Sequence, residues 1–539
     1  ILVSQQVFVG HQQMTVYTIF AGFLYMIGKT IINLNLKKVQ ISKVFNKILV
    51  FFIIIGIASL LSLVILIPSY ELLKLSTRSV MELQVSWYPF PVKHLLTFLD
   101  PFLFGNPKYG TYPIISEHWG IFWENTGYVG IIPLILLGLS LFLLKKPSLF
   151  LFGLLLFSLL FILGKYSPLY FIHEFPPFSL FRVPSRFLFF VDLLIALLAG
   201  YTLRAIFIKS KRILQYEGFV VILLILIHTI NIFYYFYNYH PVGKVDEWYQ
   251  TPKVIEYLKR DKSRFRIFTI DNTSQWNEIF LKEGWRHPEK YLQFREAMIG
   301  HENFFYGIPK SNFYTSFVTK RMKAVNDLLF GDIKKEKNDI RIGTNAASLL
   351  GIMNVKYILS PLPVRDFEKV FESNGISLYK NAHFQNRVIF ARQYKKIDTL
   401  NDVKNTLISR EFDPENVVLL EKDVQGDFIA CDDPKSSCQV NLNIQIDIPG
   451  HLVVNVNSDR DGIVVFSDSY YPGWEARVDN RPVAILAANI NQKAVVVKRG
   501  KHIVSFIYQP QTVRLGATVS AIGYLVVLIA LLFLIRKRH

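Results

Sequence analysis

Seven stretches of nearly unbroken apolar residues mark the chain, at 12–33, 46–68, 127–144, 148–165, 187–208, 217–238 and 514–535. A helix needs roughly 20 such residues to cross hydrocarbon, and only the third and fourth stretches are short of that. Basic residues fall in alternate gaps. Lys37, Lys38, Lys43 and Lys47 follow the first stretch, and Lys145 and Lys146 follow the third. Arg204, Lys209, Lys211 and Arg212 end the fifth, and Arg536, Lys537 and Arg538 end the last. Lysine and arginine accumulate on the cytoplasmic side of short loops. That rule puts the loops 69–126 and 166–186 and the long segment 239–513 outside. The long segment is also basic, but domains of that size translocate regardless of charge.

Within the outer segment the period of the pattern changes. Residues 239–425 mix helix and strand signals. Pro252-Lys-Val-Ile-Glu-Tyr-Leu-Lys has helical spacing, and Phe265-Arg-Ile-Phe-Thr-Ile alternates. Ala346-Ala-Ser-Leu-Leu-Gly-Ile reads as a short helix leading into a strand at Val355-Lys-Tyr-Ile-Leu. From 426 to 513 the alternation is strict, as in Val440-Asn-Leu-Asn-Ile-Gln-Ile and His451-Leu-Val-Val-Asn-Val-Asn. The turns fall at Pro449-Gly450, Asp461-Gly462 and Arg499-Gly500. This predicts an antiparallel sandwich. Only Gln509 and Pro510 separate its last strand from the final span, which holds it close to the membrane. The expected organisation is a polytopic α-helical membrane domain over 1–238, an extracytoplasmic α/β region over 239–425, a β-sandwich-like domain over 426–513, and a membrane anchor with a basic tail over 514–539.

Composition agrees. The 539 residues are 51% hydrophobic and 15% aromatic with a net charge of +19, and mean hydropathy is +0.29. No nucleic-acid-binding signature accompanies the positive charge, and no nucleic-acid partner is expected. Walker, dinucleotide, His-Glu-x-x-His and Gly-x-Ser-x-Gly motifs are absent from the sequence. Chemistry is left to carboxylates and cations at the membrane surface. Cys431 and Cys438 are the only cysteines and, outside the cell, either form a small disulfide loop or remain two free thiols. The chain opens on Ile1 inside an apolar run, which predicts a fragment lacking its true beginning.

The candidate residues gather on the outer side. Residues 69–126 are rich in aromatics and proline and carry Asp100, Glu117, His118 and Glu124. These suit either a site at headgroup level or a lipid-facing aromatic belt with solvated acids. In the second outer loop Arg182 and Arg186 flank Pro184 at the head of the fifth span, where arginine forks suit a lipid phosphate or simple anchoring. Asp192 in the fifth span and His228 in the sixth lie at comparable depths, which permits a pair between helices. His11 sits near the outer end of the first span as a polar tip. Glu117, His118 and Glu124 offer metal-type ligands, but their spacing matches no ligand motif, so a divalent metal is left open.

Several stretches together resemble the YfhO family of bacterial multi-pass membrane proteins. The main one is Phe466-Ser-Asp-Ser-Tyr-Tyr-Pro-Gly-Trp-Glu-Ala-Arg-Val-Asp-Asn-Arg-Pro-Val, followed by Val497-Lys-Arg-Gly-Lys-His-Ile-Val-Ser-Phe-Ile-Tyr and the terminal span. Gly10-His11-Gln12-Gln13 is similar to a family Gly-His-Pro-Gln, with Gln12 in place of proline. Gly127-Tyr-Val-Gly-Ile-Ile-Pro-Leu, Phe178-Ser-Leu-Phe-Arg-Val-Pro-Ser-Arg-Phe and Asn354-Val-Lys-Tyr extend the likeness. The resemblance implies a GT-C-like plasma-membrane glycosyltransferase that takes a sugar from a polyprenyl phosphate and gives it to a cell-surface polymer such as lipoteichoic acid. It also implies a catalytic acid in an outer loop N-terminal to Ile1. The catalytic residue is therefore unassigned, with Asp100, Glu117 and Glu124 the weaker stand-ins. Arg182, Arg186, His118, Asp192 and His228 are the expected substrate-binding residues. A noncatalytic envelope-assembly scaffold and a lipid-linked sugar flippase are the alternatives. Tyr470, Tyr471 and Trp474 suit sugar faces, although a packed turn explains them better.

Overall fold

Long apolar runs without a polar face become helices whose sides have no water-soluble partner. In the computed structural model of the chain, four helices among the described residues are long and apolar enough to cross a membrane: Ser42–Leu61, Pro184–Lys209, Glu217–Tyr237 and Gln511–Arg536. The structure describes the chain apart from residues 34–40, 80–87, 112–123, 144–148, 211–214, 271–272, 313–314, 316, 337, 408, 410–411, 425–438 and 538–539. Ile131–Leu143 and Leu149–Ile162 are apolar but shorter. The first expected span forms the helix Gln12–Asn33. Among the described residues, four of the seven expected spans meet both the length and the hydropathy needed to cross.

The second span also differs in outline. It was expected over 46–68, yet the helix Ile41–Leu61 ends and a second one, Leu63–Leu75, takes over. Ser62 turns its hydroxyl back onto the Ala58 carbonyl (2.9 Å), a bond that competes with regular helix geometry. At the break the Val64 N–H donates to Ser520 Oγ (3.1 Å), and that hydroxyl donates to the Leu60 carbonyl (3.2 Å). Gly516 lies one turn earlier on the terminal helix, and a Cβ there would stand 2.4 Å from the Leu63 carbonyl oxygen. Gly516 and Ser520 form a small-residue contact of the kind that draws membrane helices together.

The core of the membrane portion is aromatic. Tyr17, Phe161 and Phe187 are fully buried, and Tyr17 meets Phe187 edge-on at 5.4 Å and 88°. Such edge-to-face contacts match positive ring edges to negative ring faces. Phe20 and Phe178 complete the cluster.

Outside this core, Arg266–Thr269 pairs in parallel with Val355–Ser360, and the sheet continues antiparallel through Ile376–Lys380 to Glu368–Ser373. The helices expected at 252–259 and 346–352 form as Lys253–Leu258 and Thr344–Ile352. Buried Glu296 caps the first of these, accepting from Lys253 N–H (3.2 Å) and Val254 N–H (3.0 Å). Between the second helix and its strand Asn354 adopts φ +65°, a left-handed conformation that asparagine tolerates.

Two sheets make the C-terminal core. Five antiparallel strands run in the order Val440–Ile448, His451–Ser458, Gly500–Tyr508, Trp474–Val478, Arg481–Val483. Facing them is a six-stranded sheet built around Gly462–Phe466 and Gln492–Val497. Val454, Val456 and Phe506 of the first pack against Val464, Phe466 and Val495 of the second. The division expected at 425/426 does not separate these sheets. The second one recruits Val388–Ala391, Gln393–Lys396 and Val417–Leu420 from before it. These strands of four residues are too short to announce themselves by alternation.

Candidate functional site

The turn Val183–Phe187 carries the chain from the second outer loop into the helix Leu188–Lys209. Pro184 fixes its first φ, and Phe187 is anchored in the aromatic core. Arg186 leaves this turn toward Glu124 of the first outer loop. Nε donates to Oε2 at 2.7 Å and Nη2 to Oε1 at 2.6 Å, a bidentate pair. The remaining Nη1 donates to Gln13 Oε1 at 2.9 Å. Gln13 in turn donates to the Val183 carbonyl (2.7 Å) and the Tyr17 hydroxyl (3.0 Å). Gly10-His-Gln-Gln, Glu124 and the Arg-Val-Pro-Ser-Arg run, far apart in sequence, are thus held in one knot. His11, exposed, offers Nδ1 to Met14 N–H (3.4 Å) and stays outside it.

The two arginines have different roles. Arg186 is committed to its neighbours, and its side chain is about a quarter exposed. Arg182 is exposed. Its carbonyl accepts from Tyr88 N–H (2.9 Å), while its guanidinium has no hydrogen bond or ion pair with a described residue. Beside it the buried Ser185 hydroxyl has no hydrogen-bond partner among the described residues.

The other candidates scatter. Asp100 accepts from Phe102 N–H (2.9 Å) and so closes its own turn; Phe102 rests on Tyr235 of the helix Glu217–Tyr239. Glu117 and His118 lie outside the described residues, as do Cys431 and Cys438. Glu124, the remaining member of the suggested metal trio, is engaged by Arg186. Among the described residues no group of three metal-type ligands occurs. The expected pair between Asp192 and His228 does not form. Ile131–Leu143 packs against both of their helices, and His228 faces Gly130, where a Cβ would stand 2.6 Å from its ring. Asp192 Oδ1 and His228 Nδ1 each lack a hydrogen-bond partner among the described residues.

A second charged cluster was not expected from the sequence. Arg266, from the outer sheet, pairs with Asp468 of the Phe-Ser-Asp-Ser-Tyr-Tyr-Pro-Gly-Trp run. Arg387 reaches Asp468 at 3.2 Å and Asp447 at 2.8 and 2.9 Å. Lys493, with no exposed surface, donates to the Ser469 carbonyl (3.1 Å) and lies 3.6 Å from the centre of the Trp474 ring. Burial works against ionisation of Asp468, but Arg266 and Arg387 outweigh it and hold the carboxyl below its ordinary value. Burial pulls the Lys493 ammonium down to about 7, with Asp468 opposing and the two guanidiniums adding to it. Trp474 also packs on Phe466 and Tyr508, so it forms part of a packed turn. The signal in the sequence was Asp468 inside an aromatic run, but its partners lie up to 202 residues away.

A membrane protein with apolar crossing helices and a β-rich C-terminal region is the class these features define. Residues 439–520 match the model of the family described as "Bacterial membrane protein YfhO". The resemblance read from the sequence is borne out over that segment, and the match supports a YfhO-family membrane protein. No curated protein and no solved structure matches the chain.

Proposed function

We propose that this chain is a membrane glycosyltransferase-like protein of the GT-C kind, acting at the outer face of the plasma membrane. The observation that supports this best is the uncommitted Arg182 beside a knot that fixes its neighbour. The basic gaps between spans support an outer position for this end of the helix Leu188–Lys209 and for the region from 239 to 513. In the proposed reaction the sugar C1–O bond to a polyprenyl phosphate breaks, and a C1–O bond to an acceptor hydroxyl forms. A carboxylate base takes the hydroxyl proton, and the polyprenyl phosphate leaves with its charge held by Arg182. Arg186, tied to Glu124 and Gln13, positions that arm rather than touching the phosphate itself. The acceptor in this reading is a cell-surface glycan or polymer.

The test is transfer of sugar from a polyprenyl-phosphate-linked hexose by the reconstituted full chain. Arg182→Ala is expected to lower transfer roughly 10- to 100-fold, the worth of a lost hydrogen bond to a charged group. Full turnover in correctly inserted Arg182→Ala protein would remove the assignment. A noncatalytic scaffold gains support from one observation: the Glu124 carboxylate is already paired with Arg186. Wild-type protein that binds the donor without turnover would favour that reading.

A further inference from the structure

Within the mixed outer region a cavity of about 360 Å³ opens beside the helices Val245–Tyr249 and Thr273–Glu283. Its walls include Trp248, Trp276, Tyr291 and Phe294, and its charged residues are Arg295 and Glu302. This volume falls in the range of small-molecule sites and takes one or two sugar rings. We infer that it is a binding subsite for a neutral pyranose, held against the indole faces with its hydroxyls toward Glu302.

The walls are firmly built. Arg295 is 7% exposed and donates to the carbonyls of Glu247 (3.0 Å) and Gln250 (2.6 Å) and to the Tyr306 hydroxyl (2.6 Å). Those bonds fix the helix that carries Trp248 over the cavity. Gly243 leaves room for that indole, since a Cβ there would stand 2.6 Å from Trp248 Nε1. Trp276 is stacked on Phe280 at 5.3 Å and 16°, and the Tyr291 hydroxyl is held by the Gly284 carbonyl at 3.0 Å. In contrast, neither indole N–H nor the Glu302 carboxylate has a hydrogen-bond partner among the described residues.

That combination selects the ligand. Flat rings bury the C–H faces of a sugar, and an indole tip and a carboxylate meet its hydroxyls. Arg295 is committed to its carbonyls and cannot act as a phosphate arm, and Glu302 repels anions. A neutral sugar therefore fits where a phosphate-bearing polymer does not. The cavity is also tied to the first outer loop. Gly110 and Gly284 meet backbone to backbone, and Trp285 N–H donates to the Pro107 carbonyl (3.2 Å). The role of the subsite, holding the acceptor glycan, rests on the glycosyl-transfer reading; its binding of sugar does not.

The experiment is calorimetric titration of the full chain in lipid nanodiscs with maltose, gentiobiose and N,N′-diacetylchitobiose into the millimolar range. At least one is expected to bind saturably, about tenfold more weakly to Trp248→Ala and to Glu302→Gln, and unchanged to Arg182→Ala. Glu302→Gln keeps the side-chain shape, so it reads the polar contact even where Trp248→Ala fails to fold. Absence of saturable binding, or binding that both pocket variants leave intact, would overturn the subsite. Retained transfer by Arg182→Ala would overturn the donor reading alone, whatever the titration gives.

Discussion

Two arginine–carboxylate knots hold this molecule together, and they differ in what they leave over. At the head of the helix Leu188–Lys209, Arg186 is matched by Glu124 and Gln13 while the neighbouring Arg182 is left outside. In the outer region Arg266 and Arg387 share Asp468, Arg387 and Arg264 share Asp447, and Lys493 donates to the Ser469 carbonyl, so each of these cations has a partner within the protein. The second knot joins the outer sheet to the sandwich; burial first, with the two guanidiniums adding to it, holds the Lys493 ammonium below the ordinary lysine range. The first knot orients a turn and presents a spare cation. A cation already matched within the protein has little left to offer a ligand, so the informative residue is Arg182, which no described residue matches.

The contrast is sharpest in stability. Asp468→Ala removes one of two acids from three buried cations and is expected to destabilise the outer region by about 3–5 kcal/mol. Thermal unfolding followed by circular dichroism measures it, and a loss below about 1 kcal/mol would show that the knot carries no structural load. Arg186→Ala should cost less, about 2 kcal/mol, because the pair is partly exposed and solvent screens it. Adding Glu124→Ala should recover part of that loss, since no unpaired carboxylate then remains. Strict additivity in this double-mutant cycle would argue against the pair.

Smaller still is a dependence on pH. Lys493 has a folded-state value of about 7, below that of the unfolded chain, so between these values the unfolded state binds the extra proton. Stability should therefore rise as pH increases from about 7 toward the ordinary lysine range, by at most about 1.4 kcal/mol per pH unit. Lys493→Met should flatten this slope in melting temperatures taken at successive pH values. The smallest effect belongs to Arg182→Ala, which should change stability by no more than about 0.5 kcal/mol while lowering sugar transfer. If it destabilised as much as Arg186→Ala, Arg182 would be a second structural cation and the comparison would collapse.

Apolar runs and strict alternation were legible in the sequence because each element carries its own period. The strands around Val440–Ile448 and His451–Ser458 and the helices near 253 and 346 were read in this way. The pairing of Glu124 with Arg186 was not, since both sit in aperiodic loops 62 residues apart. Depth along a helix suggested that Asp192 meets His228, but depth says nothing of the direction around the axis, and Ile131–Leu143 packs against both helices. Asp468 found its arginines only through the fold. Arg182 and Arg186 looked alike in sequence, and only the geometry told the committed one from the spare.

The joint between the sandwich and the terminal helix has a mechanical consequence. The strand Gly500–Tyr508 ends two residues before the helix Gln511–Arg536 begins. Gly473 clasps that joint, its carbonyl accepting from Gln509 N–H (2.6 Å) and its Cα so close that a Cβ would stand 2.8 Å from Pro510. A collar on so short a shaft leaves no swivel. When the terminal helix tilts to suit the thickness of the bilayer, the sandwich leans with it, and the lever arm passes through the Asp468 knot into the sheet beyond.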